Sequence, residues 1–141
     1  MTSGTPENPS WLLYGANGYT GRLIAAAATR EGLRPVLSGR NRSAIEEMGR
    51  ELNLPSKPAD LDSPADLRAA VRGHRLVLHC AGRFARTSAA MLDACLAEGA
   101  HYADITGEID VFASCHARSD EASGRSLCVI PGSGFDVVPT D

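Results

Sequence analysis

Residues 14–23 read Tyr14-Gly15-Ala16-Asn17-Gly18-Tyr19-Thr20-Gly21-Arg22-Leu23, and the three glycines at three-residue intervals decide how the rest of the chain is read. Upstream, Trp11-Leu12-Leu13-Tyr14 is a short apolar run. Downstream, Tyr19 to Glu31 places Leu23, Ile24 and Ala27 on one helical face and stops at Gly32. Strand, glycine loop and helix in this order suit the diphosphate of a dinucleotide for physical reasons. The first glycine allows the tight turn, the second lets backbone approach the pyrophosphate, and the third lets helix pack close to strand. These roles fall to Gly15, Gly18 and Gly21, with one residue more in the first gap than the G-x-G-x-x-G fingerprint has. The pyrophosphate is expected at the positive N-terminal end of the helix, on free backbone N–H groups, with the Thr20 hydroxyl as an extra donor. The candidate loop residues are therefore Gly15, Asn17, Gly18, Tyr19, Thr20 and Gly21. The alternative is a plain βα turn of small residues, which the placement at the first strand of an alternating chain disfavours.

That alternation runs through the chain. Pro35-Val36-Leu37-Ser38 reads as a second strand, followed by a helix over 43–52 with Ile45, Met48 and Leu52 on one face. Lys57 to Ala59 is a short third strand, and Ser63-Pro64 is a cap-then-proline start to a helix reaching about Arg72. Leu76-Val77-Leu78-His79-Cys80 is the clearest strand, a helix follows over 87–98, and His101 to Asp104 is a fifth strand. A long helix over 108–122 and a sixth strand over 126–130 complete the pattern. Parallel neighbours need crossovers, and those crossovers cover the sheet. The expected fold is thus α/β: a Rossmann-type doubly wound parallel sheet of about six strands in a single domain over 10–141, after a polar, disordered lead-in over 1–9.

Composition narrows the function classes. The chain has 141 residues, a formal charge of −3 and a single lysine, Lys57, so no basic face is advertised to nucleic acid. The run Leu23 to Ala28 falls far short of the roughly eighteen residues a membrane span needs. Cys80, Cys95, Cys115 and Cys128 form no C-x-x-C pair, and they read as reduced thiols of a cytoplasmic protein. Cys115, His116 and Asp120 on one helix mimic ligand spacing, but solvated surface is the reading adopted and no metal is expected. His79, at the end of a buried strand, reads as a satisfied core or ligand-lining residue.

At the end of the second strand, where NAD-specific sites place Asp or Glu on the ribose hydroxyls, the chain has Ser38-Gly39-Arg40-Asn41-Arg42. Two arginines and an asparagine in place of a carboxylate suit the 2′-phosphate of NADP, since guanidinium donors match phosphate oxygens and stack on adenine. The plainer reading leaves Arg40 and Arg42 as solvated residues at a helix start. Asp60, with Leu61 beside it, is a candidate for the adenine amino group, or else a capping or turn aspartate. Ala81 and Gly82 fall at the carboxyl end of the fourth strand, where open α/β sheets bind ligands and small residues let ribose approach.

The runs "LLYGANGYTGRL", "VLHCAGRF", "YADITGE" and "PGSGFDVVPTD", in this order, resemble the NADP-binding N-terminal domain of the saccharopine dehydrogenase-like family, including its trans-acting enoyl reductase branch. The resemblance implies an oxidoreductase that transfers hydride to or from a small-molecule substrate held partly by a second domain after the Gly-Phe-Asp motif. It also places Asp104, Thr106, Gly107 and Glu108, and then Gly134, Phe135 and Asp136, on the nicotinamide side of the cleft. Thr106 and Glu108 equally suit helix-start roles. The family commonly has proline where this chain has Arg83, a departure that brings a charge toward cofactor phosphate or solvent. No catalytic acid or base is assigned. The short-chain dehydrogenases share such glycine spacing but use a Tyr-x-x-x-Lys pair, and neither Tyr14, Tyr19 nor Tyr102 stands four residues before Lys57. A non-catalytic dinucleotide-sensing module is the alternative function.

Overall fold

The computed structural model describes residues 10–134. The lead-in over 1–9 and the candidates Phe135 and Asp136 therefore lie outside the described residues. Among the described residues, five parallel strands are separated by one or two helices each, six in all. The strands are β1 (Trp11–Tyr14), β2 (Val36–Ser38), β3 (Leu76–His79), β4 (His101–Asp104) and β5 (Val129–Ile130), and the sheet order is β2-β1-β3-β4-β5. The helices are α1 (Tyr19–Arg30), α2 (Arg42–Leu52), α3 (Pro64–Val71), α4 (Phe84–Glu98), α5 (Ile109–His116) and α6 (Ser119–Gly124). Alternation along β1 sends Leu12 and Leu13 to opposite faces, and both are fully buried. Leu12 joins Val77, Leu67, Val71, Met91, Cys95 and Tyr102 on one side, while Leu13 joins Leu37, Ile45, Met48 and Ala25 on the other. Both faces of the sheet are covered, as parallel sheets require.

Register fixes where function belongs. Tyr14 pairs with Ser38 on one side and His79 on the other, and His79 pairs with Asp104, so four strands end in one row. The chain leaves β1 toward β2 and returns across it to β3. This reversal of strand order is the switch point at which open α/β sheets bind ligands, beyond the carboxyl ends of the strands.

Three elements differ from the sequence expectation. The strand expected over 57–59 is reduced to one parallel bridge, Leu37 with Ser56. The Leu37 N–H donates to the Pro55 carbonyl and the Leu37 carbonyl accepts from the Lys57 N–H, both at 2.8 Å, and the Ala59 N–H donates to the Gly39 carbonyl at 3.0 Å. However, the Lys57 carbonyl, which a continued ladder would offer to Gly39, accepts the Ser38 hydroxyl at 2.6 Å. Pro55 and Pro58 further deprive the segment of donors. The long helix expected over 108–122 divides at Ala117–Arg118, where the Ser119 hydroxyl takes the His116 carbonyl at 2.6 Å and Arg118 binds both Asp93 and Glu121. The last strand keeps two residues, since the Cys128 N–H turns to His101 Nδ1 at 3.0 Å.

Candidate functional site

The glycine loop is held from three directions. The Ser38 carbonyl accepts from the Gly15 and Ala16 amides at 2.9 and 3.1 Å, the Gly15 carbonyl accepts from Gly18, and Arg22 Nε donates to the Asn17 carbonyl. Gly15 has φ +82°, the left-handed region that glycine enters without penalty. A Cβ there would lie 2.5 Å from the Ala81 nitrogen, so loop and β3–α4 connection pass backbone against backbone. A Cβ on Gly21 would lie 2.2 Å from the Gly15 carbonyl oxygen, which is the close helix-to-strand approach. Gly18 differs. It has an ordinary φ of −76°, its nearest such contact is 3.4 Å, and it lies at the surface of the cleft. Each glycine thus has a separate physical reason.

With the first amides already engaged, the N–H groups that open α1, those of Tyr19, Thr20 and Gly21, carry the partial positive charge of the helix, and no side chain caps this end. They adjoin a cleft of about 820 Å³ lined by Gly15, Asn17, Gly18, Gly39, Arg40, Asn41, Asp60, Ala81 and Gly82, among others. The Tyr19 side chain points to solvent at 84% exposure, and neither it, Thr20 nor Gly21 lines the cleft wall. An anion placed at this helix end meets unsatisfied donors, as a pyrophosphate requires.

The structure separates residues that the second-strand motif groups together. Arg42 is tied to Glu46 at 3.3 Å on the outer face of α2 and does not line the cleft. Arg40 lines the cleft and has no ion-pair partner among the described residues. Asn41 caps α2, its side-chain oxygen accepting from the Ala44 amide at 3.1 Å, and the residue also lines the cleft. Gly39 is pressed between Ile45 and the Asn17 side chain. Ser38 is fully buried and acts through Lys57, fastening the 55–60 segment to β2. Tyr14 does the same for β1, since its hydroxyl donates to the Ala59 carbonyl at 2.7 Å. Burial, and then the nearby Asp60 carboxylate, pushes that hydroxyl up to about 12, with Arg40 acting against them. These two hydrogen bonds set the wall that carries Asp60, Leu61 and Asp62. Asp60 takes the turn role, one carboxylate oxygen accepting from the Asp62 amide at 2.9 Å, and the residue also lines the cleft.

Beyond the cleft, Asp104 is a fastening point. It is fully buried and accepts from the Tyr102 hydroxyl at 2.5 Å and from the Thr106 and Gly132 amides at 3.0 and 2.8 Å. Burial, with the carboxylate second, drives the Tyr102 hydroxyl far above its ordinary range. Thr106, also buried, accepts from the Glu108 amide, and the Glu108 carboxylate reaches across to the Ala85 amide at 3.1 Å, capping α4. Asp104, Thr106 and Glu108 are brought together as the network that shapes the β4–α5 loop, with Gly107 exposed between the last two. None of them lines the cleft.

His79 lies beneath the β3–α4 connection. Its Nε2 meets Thr87 Oγ1 at 2.9 Å, its ring packs edge-on against Phe84 with centroids 5.1 Å apart, and its Nδ1 is buried without a partner. Burial pulls this imidazole down to about 4, so it is neutral at pH 7. Cys80 lines the cleft, but burial and then Asp104 push its thiol up to about 12 and leave it a poor nucleophile. The sequence reading passed over Arg86 and Thr87 as cleft residues. The available signal was their place in the first turn of the helix that follows the central β3 strand.

A family model for the saccharopine dehydrogenase NADP-binding domain matches residues 11–125. A saccharopine dehydrogenase-like oxidoreductase of Mus musculus is 27% identical over 158 residues, covering 97% of this chain and 37% of that protein. A trans-acting enoyl reductase of Mycobacterium leprae is 31% identical over 139 residues, covering 92% of this chain and 33% of that protein. The chain spans about a third of the length of these curated relatives. Among solved structures, saccharopine dehydrogenase (L-Glu forming) from Saccharomyces cerevisiae superposes with a TM-score of 0.76 at 9% identity, over 92% of this chain and 28% of that one. A Citrobacter sp. triphenylmethane reductase complexed with NADP(H) gives 0.66 at 15% identity, over 86% and 48%. These two likenesses concern the fold. With the family match over most of its length, the chain belongs to the saccharopine dehydrogenase NADP-binding domain family, and its cofactor is NADP.

Proposed function

We propose that this domain holds NADP(H) for hydride transfer in an oxidoreductase of the saccharopine dehydrogenase-like kind, of the enoyl reductase type, whose substrate is held partly by a further domain. The observation that carries the reading is the pairing, in one cleft, of an uncapped helix N-terminus with an arginine free of any carboxylate among the described residues. The amides opening α1 would hold the pyrophosphate, and Arg40 with the Asn41 amide group would hold the 2′-phosphate. Tyr14 and Ser38 keep the adenine-side wall in place. When bound, the cofactor supplies or accepts the hydride. The chain's own part is binding, orientation and the shaping of one side of the cleft. The relatives' greater length and the lack of a free acid or base in the nicotinamide-side loop, among the described residues, support a substrate site shared with further sequence.

Calorimetric titration tests the reading. Two charge-assisted hydrogen bonds at about 1.5–3 kcal/mol each would favour NADPH over NADH by about two powers of ten, reduced by solvent and salt at this exposed site. Arg40→Ala should weaken NADPH by about tenfold and leave NADH nearly unchanged. Equal affinity of the parent for both cofactors, or equal weakening of both by Arg40→Ala, overturns the assignment of Arg40. NADPH oxidation with enoyl, imine and keto substrates by this domain alone would overturn the shared-site reading.

A further inference from the structure

The β3–α4 connection brings two further guanidinium groups to the cleft that the assignments above do not use. Arg83 and Arg86 both line it, both are exposed, and neither has an ion-pair partner among the described residues. Arg42, Arg68, Arg72 and Arg118, by contrast, each bind a carboxylate, and none of them lines the cleft. A carboxylate is also within reach of the same turn. Glu108 lies against it but gives its oxygen to the Ala85 amide, between the two arginines in sequence.

Local physics disfavours both positions. Arg83 is the N-cap of α4 with φ +59° and ψ +56°, a left-handed backbone that an arginine seldom adopts. Arg86 stands three residues on, in a first turn that has no acidic residue, so both cations lie at the positive end of a fifteen-residue helix. Local rules broken at the edge of a cleft mark places where function is served.

The charges lining the cleft point to the function served. Without Arg83 and Arg86, Arg40 faces Asp60 and Asp62, and the lining is net negative around a ligand that is itself a polyanion. With them the balance turns positive. The connection also runs directly against the glycine loop, as the 2.5 Å approach of a Gly15 Cβ to the Ala81 nitrogen shows. The two arginines therefore line the same cleft as Gly18, the residue that precedes α1.

We propose that Arg83 and Arg86 form a second guanidinium arm on the phosphate groups of the bound dinucleotide, opposite Arg40, so that the cofactor is gripped from both walls of the cleft. The proposal rests on the cofactor assignment. It places a binding role on a residue, Arg83, that replaces a proline in the pattern this chain otherwise resembles.

The test uses Arg83→Asn, which tolerates the left-handed backbone, Arg86→Gln and the double variant. Each is titrated calorimetrically with NADPH and NADH at low and high salt and melted by circular dichroism. The double variant is expected to bind NADPH at least tenfold more weakly and with a shallower salt dependence. Arg86→Gln is expected to melt no lower than the parent, because it removes a cation from the positive end of α4. Equal weakening toward both cofactors assigns the arm to the pyrophosphate, and weakening toward NADPH alone assigns it to the 2′-phosphate; either upholds the proposal. Affinities within twofold of the parent for both cofactors overturn it. If Arg83→Asn fails to fold, Arg86→Gln alone decides by the same criteria. A parent that binds neither dinucleotide overturns the cofactor reading and this proposal with it.

Discussion

A single methyl group at two glycines of the loop should separate folding from binding. At Gly21 the added Cβ would lie 2.2 Å from the Gly15 carbonyl oxygen and 2.7 Å from the Ala16 Cα, both backbone atoms with no freedom to rotate away. Overpacking of this kind costs about 1–3 kcal/mol or more, while alanine regains about 1 kcal/mol of helix propensity over glycine. With contacts this short the upper end applies, and Gly21→Ala should lose about 2 kcal/mol and about 5–10 °C in Tm. At Gly18 the same methyl meets only the Gly15 oxygen at 3.4 Å, and the backbone has an ordinary φ of −76°. Stability should change by less than about 1 kcal/mol, the N-cap difference between glycine and alanine. Yet Gly18 lies at the cleft surface, where the methyl keeps a phosphate away from the α1 amides. Loss of one charge-assisted hydrogen bond, about 1.5–3 kcal/mol, weakens NADPH by about 10- to 150-fold. Thermal melts by circular dichroism and calorimetric titration of both variants provide the measurement. Gly18→Ala binding NADPH as tightly as the parent, or Gly21→Ala melting at the parent's temperature, would refute the division of roles.

Further expectations concern the groups around the site. The His79 imidazole is held near 4, below its ordinary 6.5, by burial, so the unfolded chain binds its proton first and stability falls as pH drops from about 6.5 to 4, by about 3 kcal/mol in all. Urea melts at pH 7.5, 5.5 and 4.5 should show a smaller loss in His79→Gln than in the parent, and parallel losses would dismiss His79 as the source. Asp104→Asn keeps one acceptor but loses the charge behind three hydrogen bonds. It should cost about 1.5–3 kcal/mol by chemical denaturation, with NADPH affinity little changed because Asp104 does not line the cleft. An unchanged denaturation midpoint would remove Asp104 as the fastening point. Glu108→Gln should cost about 0.5–1 kcal/mol, the value of a charge at a helix N-terminus, and a change in NADPH salt dependence larger than the change in stability would instead place its carboxylate on the cofactor.

The Trp11–Tyr14 run, the glycine spacing and the turn of periodicity from strand to helix were legible in the sequence because they depend on neighbours in the chain: side-chain alternation, helical spacing and backbone freedom. The same holds for the absence of an acid after Ser38, which carries the NADP reading. What depends on groups far apart in sequence was decided by the tertiary structure. Arg40 and Arg42 look alike as letters, and only packing gives Arg42 to Glu46 and leaves Arg40 in the cleft. The 57–59 segment has strand chemistry, but the Ser38 hydroxyl takes its Lys57 carbonyl and leaves a single bridge. Asp104 and Glu108 read as polar residues beside a cleft until folding brought Tyr102, Gly132 and Ala85 to their oxygens. A side chain's type is local, but whether its hydrogen-bonding capacity is already occupied depends on which distant backbone arrives beside it, and that is settled only when the sheet is assembled.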